Sequence, residues 1–258
     1  FRAIDDQSME LWTWTWPIRS PDAVAAPYLN AGTNVVSGSE TAMQVVLSAA
    51  GTQIAISKSN GTILSVVQDG QSVSLNNGPV LTTGSQSISG VTHYADGSNY
   101  VVEVTYSGNF DYATWTMHPS GWVQLDYQYT LNTSCDHMGI SFSYPGSKVN
   151  GMRWRGDGPH RVWKNRLKGP SFGVWQKGYN NAITGSTQNP KEYPEFKGYH
   201  ANLNWVVIDT DEVDISILCP EEDLFLRMYT PQDAPDPKLT AISSQFPAGN
   251  ISLLDGID

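Results

Sequence analysis

From residue 41 onward, turn signals cut the sequence into short runs at intervals of about 8–12 residues, a rhythm that few architectures accommodate. Residues 53–57 alternate apolar and polar side chains, Asn60-Gly61 is a type I′ hairpin signal, and residues 63–67 resume the strand pattern. Asp69-Gly70 and Asn77-Gly78-Pro79 punctuate the runs that follow. Residues 112–117 and 122–129 flank Pro119-Ser120-Gly121, a further hairpin. In the second of those runs Val123, Leu125, Tyr127 and Tyr129 share one face, while Trp122, Gln124, Asp126 and Gln128 share the other. Residues 203–208 and 213–219 are apolar strands, the latter ending at Pro220. Only residues 21–29 suggest a helix, and Pro27 limits its length. The pattern predicts an all-β protein, a large antiparallel β-sandwich.

A chain of 258 residues can bury roughly 70–75% of the surface its unfolded form exposes, and all-β domains of about 200–250 residues are common. With 40% hydrophobic and 16% charged residues it is a folded protein rather than a disordered one. The net charge of −10 opposes binding to nucleic-acid phosphates. The densest cationic run, residues 153–168, is interleaved with Trp, Gly and Pro, so a neutral polyhydroxylated partner suits the balance better than an anionic polymer. No stretch reads as a membrane span or signal peptide, so no membrane partner is expected. The first residue is Phe1, and the chain is read as a mature or excised fragment. Cys135 and Cys219 are too few for a four-ligand zinc site, and either pairing or two buried thiols fits the sequence.

Two segments concentrate chemistry. Residues 153–166 read RWRGDGPHRVWKNR and residues 193–200 read YPEFKGYH, both rich in Gly, Pro, charge and aromatic rings, as polar loops are. Gly156, Gly158, Pro159, His160, Asn165 and Arg166, followed later by Pro194 and Gly198, resemble two motifs of the C-terminal small-chain domain of β-galactosidase-like glycoside hydrolases of family 2. The run TQIAISKSNGTILSVVQDGQSVSLNNGPVL also looks like the opening of that domain. The resemblance covers roughly residues 50–258. It implies a galactose mutarotase-like super-sandwich over residues 50–258, with residues 1–49 as a connecting segment packed on it. It further implies a bacterial, periplasmic or extracellular parent that degrades polysaccharide.

In that family the two catalytic glutamates come from a central (β/α)₈ barrel, which this sequence has no strand–helix alternation to build. The chain alone is therefore expected to hydrolyse nothing and to act as an accessory domain, with a carbohydrate and the parent's catalytic barrel as partners. Indole faces stack on sugar C–H patches while Asp, Asn and Arg side chains hydrogen-bond hydroxyls. The candidate carbohydrate-binding residues are Trp154, Asp157, His160, Arg161, Trp163, Asn165, Arg166, Trp175, Glu195, Tyr199 and His200. For both segments a structural role, glycines making turns and arginines bracing a loop, is the favoured alternative.

Other features carry further expectations. Trp12, Trp14 and Trp16 alternate with threonine, at roughly 7 Å spacing on a strand, and such a stripe is expected in the core. A mutarotase-like enzyme would need a His acid and a Glu base in one cleft, to be found among His93, His118, His137, His160 and His200. No cofactor is expected. Calcium is the one metal considered, through Asp209, Asp211, Glu212 and Asp214 or through Glu221, Glu222 and Asp223, although solvated turns explain both clusters.

Overall fold

The computed structural model describes residues 1–162, 169–180, 196–221, 223–231 and 246–257. Strands β1 (Arg2–Ile4) and β2 (Glu10–Thr13) form a hairpin, and helix α1 (Pro21–Leu29) follows. Ser20 caps that helix by accepting the Ala23 N–H at 3.3 Å, and Pro21 occupies its first turn, where no N–H is needed. Then β3 (Ser37–Glu40), β4 (Gln44–Ala49), β5 (Thr52–Ser57), β6 (Ile63–Gln68) and β7 (Gln71–Val73) make a five-stranded meander. After β8 (Asn76–Leu81), a second meander comprises β9 (Gln86–Asp96), β10 (Asn99–Gly108), β11 (Phe110–Met117) and β12 (Val123–Tyr129).

The remaining strands are β13 (His137–Ser143), β14 (Val149–Gly158), β15 (Ser171–Gly178), β16 (Gly198–His200), β17 (Trp205–Thr210), β18 (Ile215–Leu218), β19 (Phe225–Met228) and β20 (Ile251–Ile257). They make a four-stranded sheet ordered β15-β14-β17-β18 and, with β8, a five-stranded sheet ordered β16-β19-β20-β13-β8. Neighbouring strands are antiparallel throughout the described residues. The all-β expectation holds.

The two larger apolar cores among the described residues come from these sheets. In the first, Val45, Leu47, Ile54 and Ile56 of the first meander pack with Val102, Val104, Trp115 and Met117 of the second, and Leu81 and Ile140 join them. The face of β12 that carries Val123, Leu125, Tyr127 and Tyr129 packs against this core, as its alternation requires. In the second core, Met152, Trp154, Val206 and Ile208 meet Leu226, Met228 and Ile251. Val66, Leu75 and Leu253 touch both cores, so the sheet containing β20 links the two halves. β3 and β4, which precede residue 50, belong to the first meander, and Val45 and Leu47 are fully buried.

Local chemistry corrects one turn. Asp69 and Gly70 both have positive φ between paired Gln68 and Gln71, the geometry of a two-residue I′ hairpin. At Asn60-Gly61 only Gly61 does, and the hairpin closes over a longer loop in which Ser57 N–H donates to Thr62 O. The Asn60 side chain accepts the Thr62 N–H and hydroxyl, competing with the tighter turn.

Two polar latches close the second half. Arg227 is wholly buried and donates to the carbonyls of Pro247, Ala248, Gly249 and Asn250 and to Ser252 Oγ, which fixes the entry to β20. Burial pushes its guanidinium down to about 10, so it keeps its charge at neutral pH. Glu212, in the β17–β18 turn, accepts from Ser74 N and Oγ, the Tyr144 hydroxyl and Lys148 Nζ. Partial burial raises its carboxyl, but these four donors win and hold it at about 2 against an ordinary value of 4.5. A depressed folded-state value means this contribution is complete above pH ~4.5 and is lost as pH falls towards 2. Glu212→Gln is therefore expected to lower stability at pH 7 by about 1–3 kcal/mol and to flatten the dependence between those limits. Urea unfolding at pH 2.5, 4.5 and 7 checks this; parallel wild-type and variant curves would contradict it.

Candidate functional site

Residues 153–158, expected as a loop, are strand β14, and period-two alternation sorts their side chains onto two faces. Met152 and Trp154 enter the second core. Arg153, Arg155 and Asp157 take the opposite face. On β17, Val206 and Ile208 go inward, leaving Trp205, Val207 and Asp209 on that same outer face. The register sets Arg155 between Val174 and Trp205, Arg153 between Gln176 and Val207, and Asp157 beside Phe172. Cross-strand neighbours then meet: the Arg155 guanidinium carbon lies 5.3 Å from the Phe172 ring centre, and that of Arg153 lies 6.0 Å from the Trp205 ring centre.

This face is open. Arg153, Gln176 and Asp209 are exposed, and Val174 is 61% exposed. Where Gly151 offers no side chain, a depression of about 250 Å³ is lined by Arg153, Gln176, Asp209 and Asp214 among others. That is smaller than the roughly 300–1,000 Å³ of a drug-sized cleft. At the far end of β14, Asp157 is half-buried and accepts from Asn202 Nδ2 at 2.6 Å. Burial raises its carboxyl above the ordinary value. Two aromatic rings, two guanidinium groups, an amide and carboxylates on one flat surface can bind a polyhydroxylated ring by stacking and paired hydrogen bonds.

The expected site residues do not gather there. Trp154 has no exposed surface; its indole N–H donates to Asp157 O at 3.1 Å, and the Lys177 ammonium lies 5.2 Å over its ring. His200 is wholly buried with Nε2 on Phe196 O at 3.0 Å, and burial, with Lys177 nearby, pushes its imidazole down to about 3. Tyr199 is stacked on Phe246 in a buried cluster, and Arg161 is buried with Nη1 donating to Lys197 O. Side chains so enclosed have no face to offer a sugar, so Trp154, Arg161, Tyr199 and His200 are corrected to supporting roles. Trp175 is half-buried, its indole N–H held by Ser171 O. Asp157 and the exposed His160 stay accessible. Trp163, Asn165, Arg166 and Glu195 lie outside the described residues, as does Pro194 of the second motif.

The motif glycines have packing reasons. A Cβ on Gly156 would stand 2.9 Å from the carbonyl oxygens of Ala201 and Asn202, and one on Gly158 would strike the Trp175 indole. The tryptophan stripe reverses expectation. Trp12, Trp14 and Trp16 are 62%, 45% and 59% exposed, and only Trp12 lies within a strand. Phe1 meets Trp16 edge-on, and Met9, Leu11 and Ile18 are exposed beside them.

Among the described residues the remaining expectations find no common centre. His93 joins Tyr100 and Glu40, His118 pairs with Gln124, and His137 with Thr83. None of these lines the depression on the outer face. Cys135 and Cys219 are both free thiols. Among the described residues no three His, Cys, Asp or Glu side chains converge as metal ligands, and no helix is long and apolar enough to cross a membrane.

Sequence reasoning missed Arg153, Arg155, Phe172 and Trp205 as a group. The signal was the Arg-Trp-Arg alternation, which reads as a strand once the glycines beyond it are set aside. The chain matches no known protein-family model, and no curated protein matches it significantly.

Trp154→Ala is expected to cost about 3–5 kcal/mol of stability, as core truncations do, and Trp205→Ala only about 1 kcal/mol. Equilibrium urea unfolding of both variants checks the assignment of faces, and equal losses would contradict it.

Proposed function

We propose that this chain is a non-catalytic accessory domain of a β-galactosidase-like glycoside hydrolase of family 2, and that it binds oligo- or polysaccharide. The binding surface is the outer face of the β15-β14-β17-β18 sheet. The observation that carries this is the placing of Trp205 and Phe172 beside Arg153, Arg155 and Gln176 on one open sheet face. The rings supply flat apolar area, and the polar groups between them supply oriented donors and acceptors. In this reading the chain sits in a bacterial periplasmic or extracellular enzyme, and hydrolysis belongs to that enzyme's barrel.

A second reading rests on the Trp12, Trp14 and Trp16 exposures. Three exposed indoles with Phe1, Leu11 and Ile18 form an apolar surface of the kind that marks an interaction site. In that reading this strip docks on a neighbouring domain of the parent enzyme and the chain serves as architecture.

Affinity gels containing β-glucan, xylan, galactan or pectin, backed by a glycan array, separate the two. Retardation by at least one glycan is expected, and Trp205→Ala is expected to weaken it at least about tenfold, or 1.4 kcal/mol, while Trp12→Ala leaves it unchanged. Loss of binding in Trp12→Ala alone would move the saccharide to the N-terminal strip, and no binding by the wild type would leave only the architectural role.

A further inference from the structure

The saccharide reading leaves the ligand's charge open, and the outer face addresses it. With 25 Asp and Glu against 15 Lys and Arg, acids outnumber bases across the chain. Among the described residues the ion pairs are Arg2–Glu10, Lys58–Glu40, His93–Glu40 and Lys148–Glu212. Neither Arg153 nor Arg155 takes part in one. Their guanidinium groups instead lie by the Trp205 and Phe172 rings. An aromatic ring covers the flat face of a guanidinium and leaves its N–H edge free, and that edge is the part that matches a carboxylate or sulfate in two parallel bonds.

From this we infer that the saccharide carries anionic groups, carboxylate or sulfate, held by Arg153 and Arg155. This rests on the proposal that the face binds saccharide and sharpens it. Two residues apart on one strand face, the arginines stand about 7 Å from each other. Asp157 follows Arg155 at one end, and Asp209 and Asp214 line the depression near Arg153 at the other. Carboxylates at both ends confine an anion to the arginine pair and disfavour a densely charged polymer. The net charge of −10 acts the same way at longer range. A saccharide with spaced charges and neutral hydroxyls between them fits this pattern. The composition alone had favoured a neutral partner; the local surface reverses that preference.

The test is calorimetric titration of the 258-residue chain with oligogalacturonate, with a sulfated galactan oligosaccharide and with neutral galacto-oligosaccharide, in 20 mM and 500 mM NaCl. At low salt at least one acidic ligand is expected to bind about tenfold tighter than the neutral one, with the preference shrinking at high salt. The Arg153→Gln/Arg155→Gln double variant is expected to bind the acidic and neutral ligands equally, at the wild-type melting temperature. Arg→Lys at both positions keeps charge without the planar fork and is expected to restore part of the preference. Which acidic ligand wins identifies carboxylate or sulfate as the anion. Equal affinity for all three ligands, unaffected by the double variant, would overturn the charge inference and leave the saccharide reading standing. Binding of none of the three by the wild type would overturn the charge inference, and a failure of the affinity gels as well would overturn the saccharide reading.

Discussion

The alternation of side chains along β14 is the constraint on which the second half of the protein depends. One strand, paired on both edges, sends Met152 and Trp154 into the core and Arg153 and Arg155 out to solvent. A shift of one residue in its register would bury two guanidinium groups and expose the largest fully buried side chain of the core. Burying even one unpaired charge costs several kcal/mol, so the inner and outer faces specify the register together. The outer surface is therefore a by-product of strong core selection, which gives it rigidity without residues devoted to holding it still.

The interior around Trp154 shows how the polar motif residues serve that strand. Lys177 covers the indole, His200 lies 5.1 Å from it as a neutral imidazole, and Asp157 O takes its N–H. Gly156 lets the chain at Ala201 and Asn202 approach β14, and that approach brings Asn202 to the Asp157 carboxylate. Charged and aromatic residues that look like a ligand site in one dimension are here a buried polar layer. The Arg227 and Glu212 latches repeat the theme, each tying a connecting segment to the second core through several donors or acceptors. Linked by Val66, Leu75 and Leu253, the two cores present sheets whose outer faces are free to diverge in role.

Much of the fold was legible because turn chemistry and period-two patterning are local. The β11–β12 hairpin and the shared apolar face of β12 follow directly from the residues, as does α1. The site was less legible. Residues 153–158 carry the glycines and charge of a loop, yet cross-strand pairing to β15 and β17, distant in sequence, makes them a strand. Burial of His200 and Tyr199 depends on the β19 pairing of a three-residue strand, which no local pattern announces. The Trp12–Trp16 stripe has the spacing of a core strand and lies exposed, because among the described residues β2 pairs only with the three-residue β1. The resemblance to family 2 small-chain domains drew attention to residues 153–166, where Trp154 faces the core and Arg153 and Arg155 face outward.

The most direct test is hydroxyl-radical footprinting by mass spectrometry of the chain with and without a bound glycan. Labelling reads side-chain exposure, so it reports on the faces of the β14 sheet independently of affinity. Protection of Phe172 and Trp205, with Trp12, Trp14 and Trp16 labelled as before, is the expected result. Protection confined to the N-terminal tryptophans, or unchanged labelling of Trp205 at saturating glycan, would contradict the assignment of the outer β14 face as the binding surface.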